Sequence, residues 1–142
     1  MIFNIYIFNK EGVCIYFEEW NKKKGSANTA EDQKLLFGML YSLKAFISTS
    51  SPKPIDPKTG FHCYKTSSYK LHFYETLSGT KFIIMTDPNT PDLREDLKKI
   101  YSNIFVEYVI KNPVYQPNTA IKCDMFINHL NAYLKQTPAF NN

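Results

Sequence analysis

The chain has 142 residues, of which 44% are hydrophobic and 15% aromatic, and its formal net charge is +4. This length fits one domain, and the composition is that of a globular protein rather than a disordered one. The charge is too small and too scattered for a nucleic-acid binder, since the only basic run is Lys22-Lys23-Lys24. We expect these lysines to lie on a solvated loop; a weak contact with an acidic membrane surface or partner is the alternative.

The first third of the chain predicts a β-hairpin followed by a helix. The runs 2–8 and 13–20 are β-branched and aromatic, and the segment 9–12 joins them with a glycine suited to a tight turn. A near capping box at 29–32 opens a helix predicted from about residue 30 to residue 48. We expect the apolar face of this helix to consist of Leu36, Met39, Leu40, Leu43, Phe46 and Ile47.

The rest of the chain predicts three strands and two helices. The runs 61–66, 69–76 and 81–87 are typical of an antiparallel meander that follows a proline-rich loop at 51–60. Thr90-Pro91 opens the next helix, which ends at Asn112-Pro113, and a last helix runs from about 118–119 to Pro138. The predicted apolar stripes are Leu93, Leu97, Ile100, Ile104 and Tyr108 in the first of these helices, and Ile121, Met125, Phe126, Leu130, Tyr133 and Leu134 in the second.

The order of these elements, β-β-α-β-β-β-α-α, predicts an α+β fold with one five-stranded antiparallel sheet. Strands that are apolar on both sides need cover on both faces of their sheet. We therefore expect the first helix on one face and the other two helices on the opposite face. We expect residues 1–142 to form a single domain.

The cysteines and the chain ends predict a cytosolic protein. Cys14, Cys63 and Cys123 are far apart and include no Cys-x-x-Cys pair, which is typical of free thiols in a reducing compartment. The N-terminus lacks the basic region of a signal peptide. No apolar run approaches the roughly 18 residues that suggest a membrane span.

One pair of side chains raises the possibility of catalysis. A two-residue turn at 67–68 would set Cys63 opposite His72, and a thiol beside an imidazole can form a nucleophile–base pair. The pair lacks a third orienting group and an oxyanion donor, and buried packing is the alternative. His62 points to the opposite face of its strand, so it cannot join the other two as a metal ligand. The sequence predicts no catalytic residue, no metal and no cofactor.

Two other features predict protein contacts. The same register sets Lys65 opposite Lys70, and these like charges either splay into solvent or meet an acidic partner. Along the first helix, small residues recur at 4-3-4 spacing beside aromatic ones, although a helical glycine costs about 1 kcal/mol relative to alanine. Packing against the chain's own sheet is the alternative for this stripe. The predicted protein-binding residues are Phe37, Gly38, Tyr41, Ser42, Lys44, Ala45, Lys65 and Lys70.

Four long segments carry a resemblance to a known family. They are residues 4–20, 34–52, 69–87 and 100–113. The match covers nearly the whole chain, and its segments follow the same order. These segments resemble the subunit 1 family of the TRAPP (trafficking protein particle) vesicle-tethering complex, whose members are longin-like (sedlin-like) proteins. The resemblance is weakest in the proline-rich loop and in the C-terminal tail.

The resemblance implies a longin-like fold and a role as a small core subunit in endoplasmic reticulum-to-Golgi and intra-Golgi transport. It implies pairing with a synbindin-like longin subunit, contact with a small lipid-binding paralogue subunit, and a location peripheral to Golgi and endoplasmic reticulum membranes. The assembled core would be a guanine-nucleotide exchange factor for a Rab GTPase, because it favours a GTPase state that binds nucleotide poorly. This chain alone would then not be an enzyme.

Four alternatives remain open at this level. The small chain of a clathrin-adaptor-type coat complex has a similar size and fold, but the four segments fit it poorly. The N-terminal domain of a longin SNARE would be followed by a long heptad helix, which these residues do not contain. A small hydrolase that uses Cys63 and His72 is the third alternative. A free-standing ligand-binding module is the fourth, although 142 residues with two helix layers leave little room for a pocket.

Overall fold

The computed structural model of the chain describes residues 1–20, 34–42, 45, 63–116 and 119–140. In these residues, five strands form one antiparallel sheet in the order β2-β1-β5-β4-β3. The strands are β1 (Ile2–Phe8), β2 (Cys14–Glu19), β3 (Cys63–Lys65), β4 (Lys70–Glu75) and β5 (Lys81–Thr86). The helices are α1 (residues 34–42, together with residue 45), α2 (Arg94–Lys99), a π-helix that continues it (Ile100–Ile110), α3 (Asp124–Gln136) and a short 3-10 helix (Pro138–Phe140).

The predicted hairpin of β1 and β2 is confirmed, and its turn is closed by hydrogen bonds from both backbone and side chain. The backbone N–H of Asn9 donates to Val13 O at 2.9 Å, and the Asn9 Oδ1 atom accepts from the N–H groups of Glu11 and Val13. Gly12 has a φ of 86°. Glycine adopts this left-handed conformation without the steric strain that a Cβ atom would introduce. The turn therefore forms for the reason that the sequence indicated.

The predicted meander of β3, β4 and β5 is also confirmed, together with its register. Cys63 pairs with His72 and Lys65 pairs with Lys70. The strands are shorter than the runs that predicted them, because the flanking residues form turns. Thr66, for example, accepts hydrogen bonds at its Oγ1 atom from the backbone N–H groups of residues 68 and 69.

Alternate strand residues supply two hydrophobic clusters, one on each face of the sheet. Helix α1 covers one face, and α2, the π-helix and α3 cover the other, as expected. The buried residues on the α1 side are Tyr6, Phe8, Leu40, Leu71, Phe73 and Ile83. The larger cluster on the other side includes Ile5, Ile7, Phe82, Ile84, Leu97, Ile104, Phe105, Phe126 and Leu130. Each fully buried side chain of this size contributes about 1.5–3 kcal/mol to folding.

The helix after the meander differs from its prediction in start and in winding. It begins at Arg94 rather than at Thr90-Pro91, and from Ile100 its backbone bonds close over five residues, as in Lys111 N to Val106 O at 3.0 Å. This wider winding places residues four and five apart on one face. The buried residues of the π-helix are Ile100, Ile104, Phe105 and Val109. Tyr108, which an α-helical period assigned to the core stripe, is for this reason only partly buried.

The last helix begins later than predicted, at Asp124 rather than near residues 118–119. The backbone N–H of Ile121 donates to Ile15 O at 2.7 Å, so this segment bonds to β2 instead of starting the helix. Phe126, Leu130 and Leu134 are buried as expected. Met125 is 53% exposed, so its assignment to the apolar stripe is wrong.

Several predicted features lie outside the described residues. They are Lys22, Lys23 and Lys24, the near capping box at 29–32, the core positions Leu43, Phe46 and Ile47, the binding residue Lys44, the loop 51–60 and His62.

Candidate protein-binding surfaces

Helix α1 lies on the sheet through one face and leaves the opposite face exposed. Leu40 is buried in the cluster on this side of the sheet, and Leu36, Phe37 and Met39 pack against the same cluster. Lys34 and Leu35 are exposed at the start of the helix, and Gly38, Tyr41, Ser42 and Ala45 are exposed further along. We call these last four residues the α1 outer face. The predicted small-residue stripe is thus present as a surface, since its described members do not pack on the chain's own sheet.

Phe37 holds α1 against the sheet and does not belong to the α1 outer face. Its ring centroid lies 5.7 Å from that of Phe8, and the Lys81 Nζ atom lies 5.4 Å from the Phe37 centroid. A Cβ atom placed on Gly12 would approach the Phe37 ring to 2.8 Å. The structure therefore places Phe37 between α1 and the β1–β2 turn, apart from the other predicted residues of the helix.

Gly38 has no packing reason in the described part of this chain to be a glycine. A Cβ atom built on it meets no heavy atom within 4 Å. Tyr41, one turn further along, is 70% exposed. An exposed helical glycine lowers stability by about 1 kcal/mol relative to alanine, and no side-chain contact within the described residues requires a glycine at this position.

Lys65 and Lys70 lie on a different surface from the α1 outer face. Leu71 and Phe73 point toward α1, so their neighbour Lys70 points to the face that α2 covers. The Lys70 Nζ atom donates to Thr90 O at 3.0 Å, whereas Lys65 is exposed. The predicted binding residues therefore fall on two opposite sides of the sheet and not on one continuous site.

The Cys63–His72 pair does not have the contacts of a nucleophile and its base. His72 is fully buried, and the Nδ1 atom of its ring accepts a hydrogen bond from the Leu93 backbone N–H at 3.3 Å. The Nε2 atom then carries the proton and donates to Thr86 Oγ1 at 2.9 Å. Both ring nitrogens are engaged with neighbours other than Cys63, which argues against the hydrolase alternative.

Burial lowers the pKa of His72 to about 4, and the nearby Lys70 ammonium acts in the same direction, while Asp92 opposes both. The ring is therefore neutral near pH 7. The sequence pattern along β4 does not predict the contact of His72 with Leu93. The signal available for it was indirect: Leu93, at the start of α2, has no side chain that can cap a helix.

Within the described ranges, no three His, Cys, Asp or Glu side chains lie close enough together to hold a metal ion. The same part of the chain contains no helix with the length and hydrophobicity needed to cross a membrane.

Comparisons with known proteins agree with this fold. The Sybindin-like family matches residues 2–137. The chain is 77% identical over 141 residues to Trafficking protein particle complex subunit 1 of Dictyostelium discoideum, with 99% of each chain covered. It is 38% identical over 141 residues to the human protein of the same name, covering 99% of this chain and 96% of the human one. It is also 36% identical over 132 residues to Trafficking protein particle complex subunit 4 of Dictyostelium discoideum, covering 92% and 94%.

The chain belongs to the Sybindin-like family. This result confirms the resemblance to the TRAPP subunit 1 family that the sequence segments indicated. The five-stranded sheet with its helices agrees with the expected α+β longin-like fold. The full-length similarity to subunit 1 proteins supports a function as a small TRAPP core subunit. It gives no support to the small chain of a clathrin-adaptor-type complex.

Proposed function

We propose that this chain is the subunit 1 component of a TRAPP vesicle-tethering complex, in which it acts as a scaffold. The observation that carries the proposal is 77% identity over 99% of both chains to a protein of that name. Identity to subunit 4 of the same organism is 36%, which favours the position of subunit 1 over that of its relative.

Partners follow from the same assignment. The chain pairs with a synbindin-like longin subunit, and it contacts a small lipid-binding paralogue subunit. The complex then holds it at the surface of Golgi and endoplasmic reticulum membranes. The exposed Gly38, Ser42 and Ala45 support this part of the proposal, because small side chains allow a second backbone to come close. Tyr41 beside them supplies a large side chain of the kind enriched at protein interfaces.

Nucleotide exchange on a Rab GTPase belongs to the assembled complex in this proposal. Exchange requires tighter binding of one GTPase state than of another and needs no proton transfer or covalent step in this chain. Both ring nitrogens of His72 are engaged by Thr86 and Leu93, which leaves neither of them to act as a base toward Cys63.

Ser42→Arg tests whether the α1 outer face carries the assembly. Ser42 is exposed in the described structure, so a large charged side chain should leave the isolated domain folded while it blocks an approaching partner. The matched control is Ser102→Arg, the same change at an exposed position of the π-helix on the other side of the sheet. Both variants are co-expressed with the two partner subunits and purified through a tag on one partner.

We expect the Ser42 variant to be lost from the purified complex and the Ser102 variant to be retained. Circular dichroism of each isolated variant confirms that it is folded. If the Ser42 variant co-purifies fully and the complex still accelerates GDP release from the Rab GTPase, the α1 outer face is not the interface.

A further inference from the structure

His72 lies where strand β4 meets the beginning of α2, far from the α1 outer face. Its side chain is fully buried between the sheet and the helices that cover it. One ring nitrogen bonds Thr86 on β5, and the other bonds the backbone of Leu93, which directly precedes α2. A single side chain thus connects two strands to the start of a helix that is 21 residues away in sequence.

The bond to Leu93 takes the place of a helix cap. The first backbone N–H groups of a helix have no acceptor within the helix, and a buried one needs an acceptor from elsewhere. Leu93 is buried and cannot supply one with its own side chain. The Nδ1 atom of His72 does so from β4, and the Leu93 carbonyl accepts the first bond of the helix, from Leu97 N at 2.9 Å.

Only the neutral ring can make this contact. Thr86 donates its own hydroxyl proton to Asp87 O at 3.0 Å, so its Oγ1 atom accepts from Nε2–H, and Nδ1 is left without a proton. In an imidazolium both nitrogens are donors, and the Nδ1–H group would then face the N–H group of Leu93. Protonation therefore converts an attractive contact into a repulsive one.

The surrounding charges also disfavour the imidazolium. Lys70 lies two residues away on the same strand and repels a second positive charge. Asp92, just before α2, attracts it, but this attraction is weaker than the repulsion from Lys70. On the neighbouring strand β3, Cys63 is paired directly with His72.

We propose that His72 is an acid-sensitive latch, in which the neutral ring holds the beginning of α2 on the sheet and the protonated ring releases it. This inference is independent of the proposed function, because it rests on contacts within the chain alone.

The pKa values fix the direction of the effect. The pKa of His72 is about 4 in the folded chain and 6.5 for the ordinary, solvated group. Because the opened form binds the proton more tightly, the latch is fully effective above about pH 6.5 and is lost as the pH falls toward 4. Between pH 7.5 and pH 5 these two values correspond to a roughly 30-fold increase in the opening equilibrium constant.

Two substitutions separate the titration from the packing of the ring. His72→Asn keeps an acceptor near the position of Nδ1 but cannot be protonated in this range. His72→Gln moves its amide to the distance of Nε2, so it can reach Thr86 but does not place an acceptor next to Leu93. Circular dichroism confirms that each variant is folded.

The measurement is amide hydrogen exchange by mass spectrometry at pH 7.5 and pH 5, corrected for intrinsic exchange rates, on peptides that contain residues 93–97. In the wild type we expect protection to fall by up to about 30-fold on acidification. His72→Asn should retain its protection at pH 5, and His72→Gln should have low protection at both pH values. An equal fall in the Asn variant and the wild type, or full protection in the Gln variant, would overturn the proposal.

Discussion

Replacing Gly38 with alanine should make the isolated chain more stable. The new Cβ atom meets no heavy atom within 4 Å, so the substitution introduces no clash in the described structure. Position 38 lies inside α1, where alanine is favoured over glycine by about 0.5–1 kcal/mol. For a chain of this length, such a change raises the melting temperature by roughly 2–4 °C.

The assay is urea unfolding of the isolated variants, combined with co-purification of the assembled subunits. Gly38→Leu extends the test, because leucine is also a good helix former but is far larger than alanine. We expect both variants to unfold at higher urea concentration than the wild type, and the leucine variant to assemble poorly. Lower stability of the alanine variant would refute the reasoning, since it would show that the position is packed within this chain.

Gly12→Ala is the opposite case and serves as the control. Gly12 has a positive φ of 86°, and an added Cβ atom would lie 2.8 Å from the Phe37 ring. We therefore expect this variant to lose about 1–2 kcal/mol of stability, the cost of a left-handed conformation for a residue with a Cβ atom. If both glycine variants changed stability in the same direction, the structural distinction between the two positions would be wrong.

Three further substitutions test the packing of the sheet and its helices by urea unfolding. Phe126→Ala should cost about 3–5 kcal/mol, because this fully buried ring packs edge-on against Tyr16 at 5.2 Å, and a smaller loss would mean that the site collapses. Asn131→Ala should cost about 1–3 kcal/mol, since it removes the acceptor of the Trp20 indole N–H at 2.6 Å. Unchanged stability would mean that the indole N–H bonds to water instead. Leu77→Ser, in a fully exposed turn, should change stability by less than about 0.5 kcal/mol.

Local patterns in the sequence were sufficient for the strands, their register and the placement of helices on the two faces. The turn glycine at position 12 and the two-residue connection before Tyr69 each determine a pairing over a few residues. Such short-range rules are reliable because the chemistry that decides them lies within the same segment.

The sequence-based predictions are wrong or incomplete where a contact with a distant part of the chain determines the local structure. Ile121 bonds to β2, which delays the start of α3, and no residue next to it reveals that partner. Phe105 and Val109 are buried by the winding of the π-helix, which an α-helical period cannot anticipate. His72 acquires its role from Leu93, which pattern reasoning along β4 does not reach.

The candidate binding residues were predicted in part by composition. The small residues of α1 indicated an exposed face because glycine is unfavourable inside a helix that packs only on its own sheet. Phe37 is grouped with that face on residue type, whereas Lys65 and Lys70 are predicted separately, from the register of their strand pair. Their actual positions depend on the direction of each side chain relative to the sheet, which the spacing within one segment does not determine.

The most direct test of the proposed function is co-expression of this chain with the synbindin-like subunit and the lipid-binding paralogue subunit. Size-exclusion chromatography with light scattering measures the mass of the product, and release of labelled GDP from the Rab GTPase measures exchange. The proposal predicts a stable hetero-oligomer that accelerates release, with this chain inactive by itself. A monodisperse monomer that does not bind these partners would contradict it.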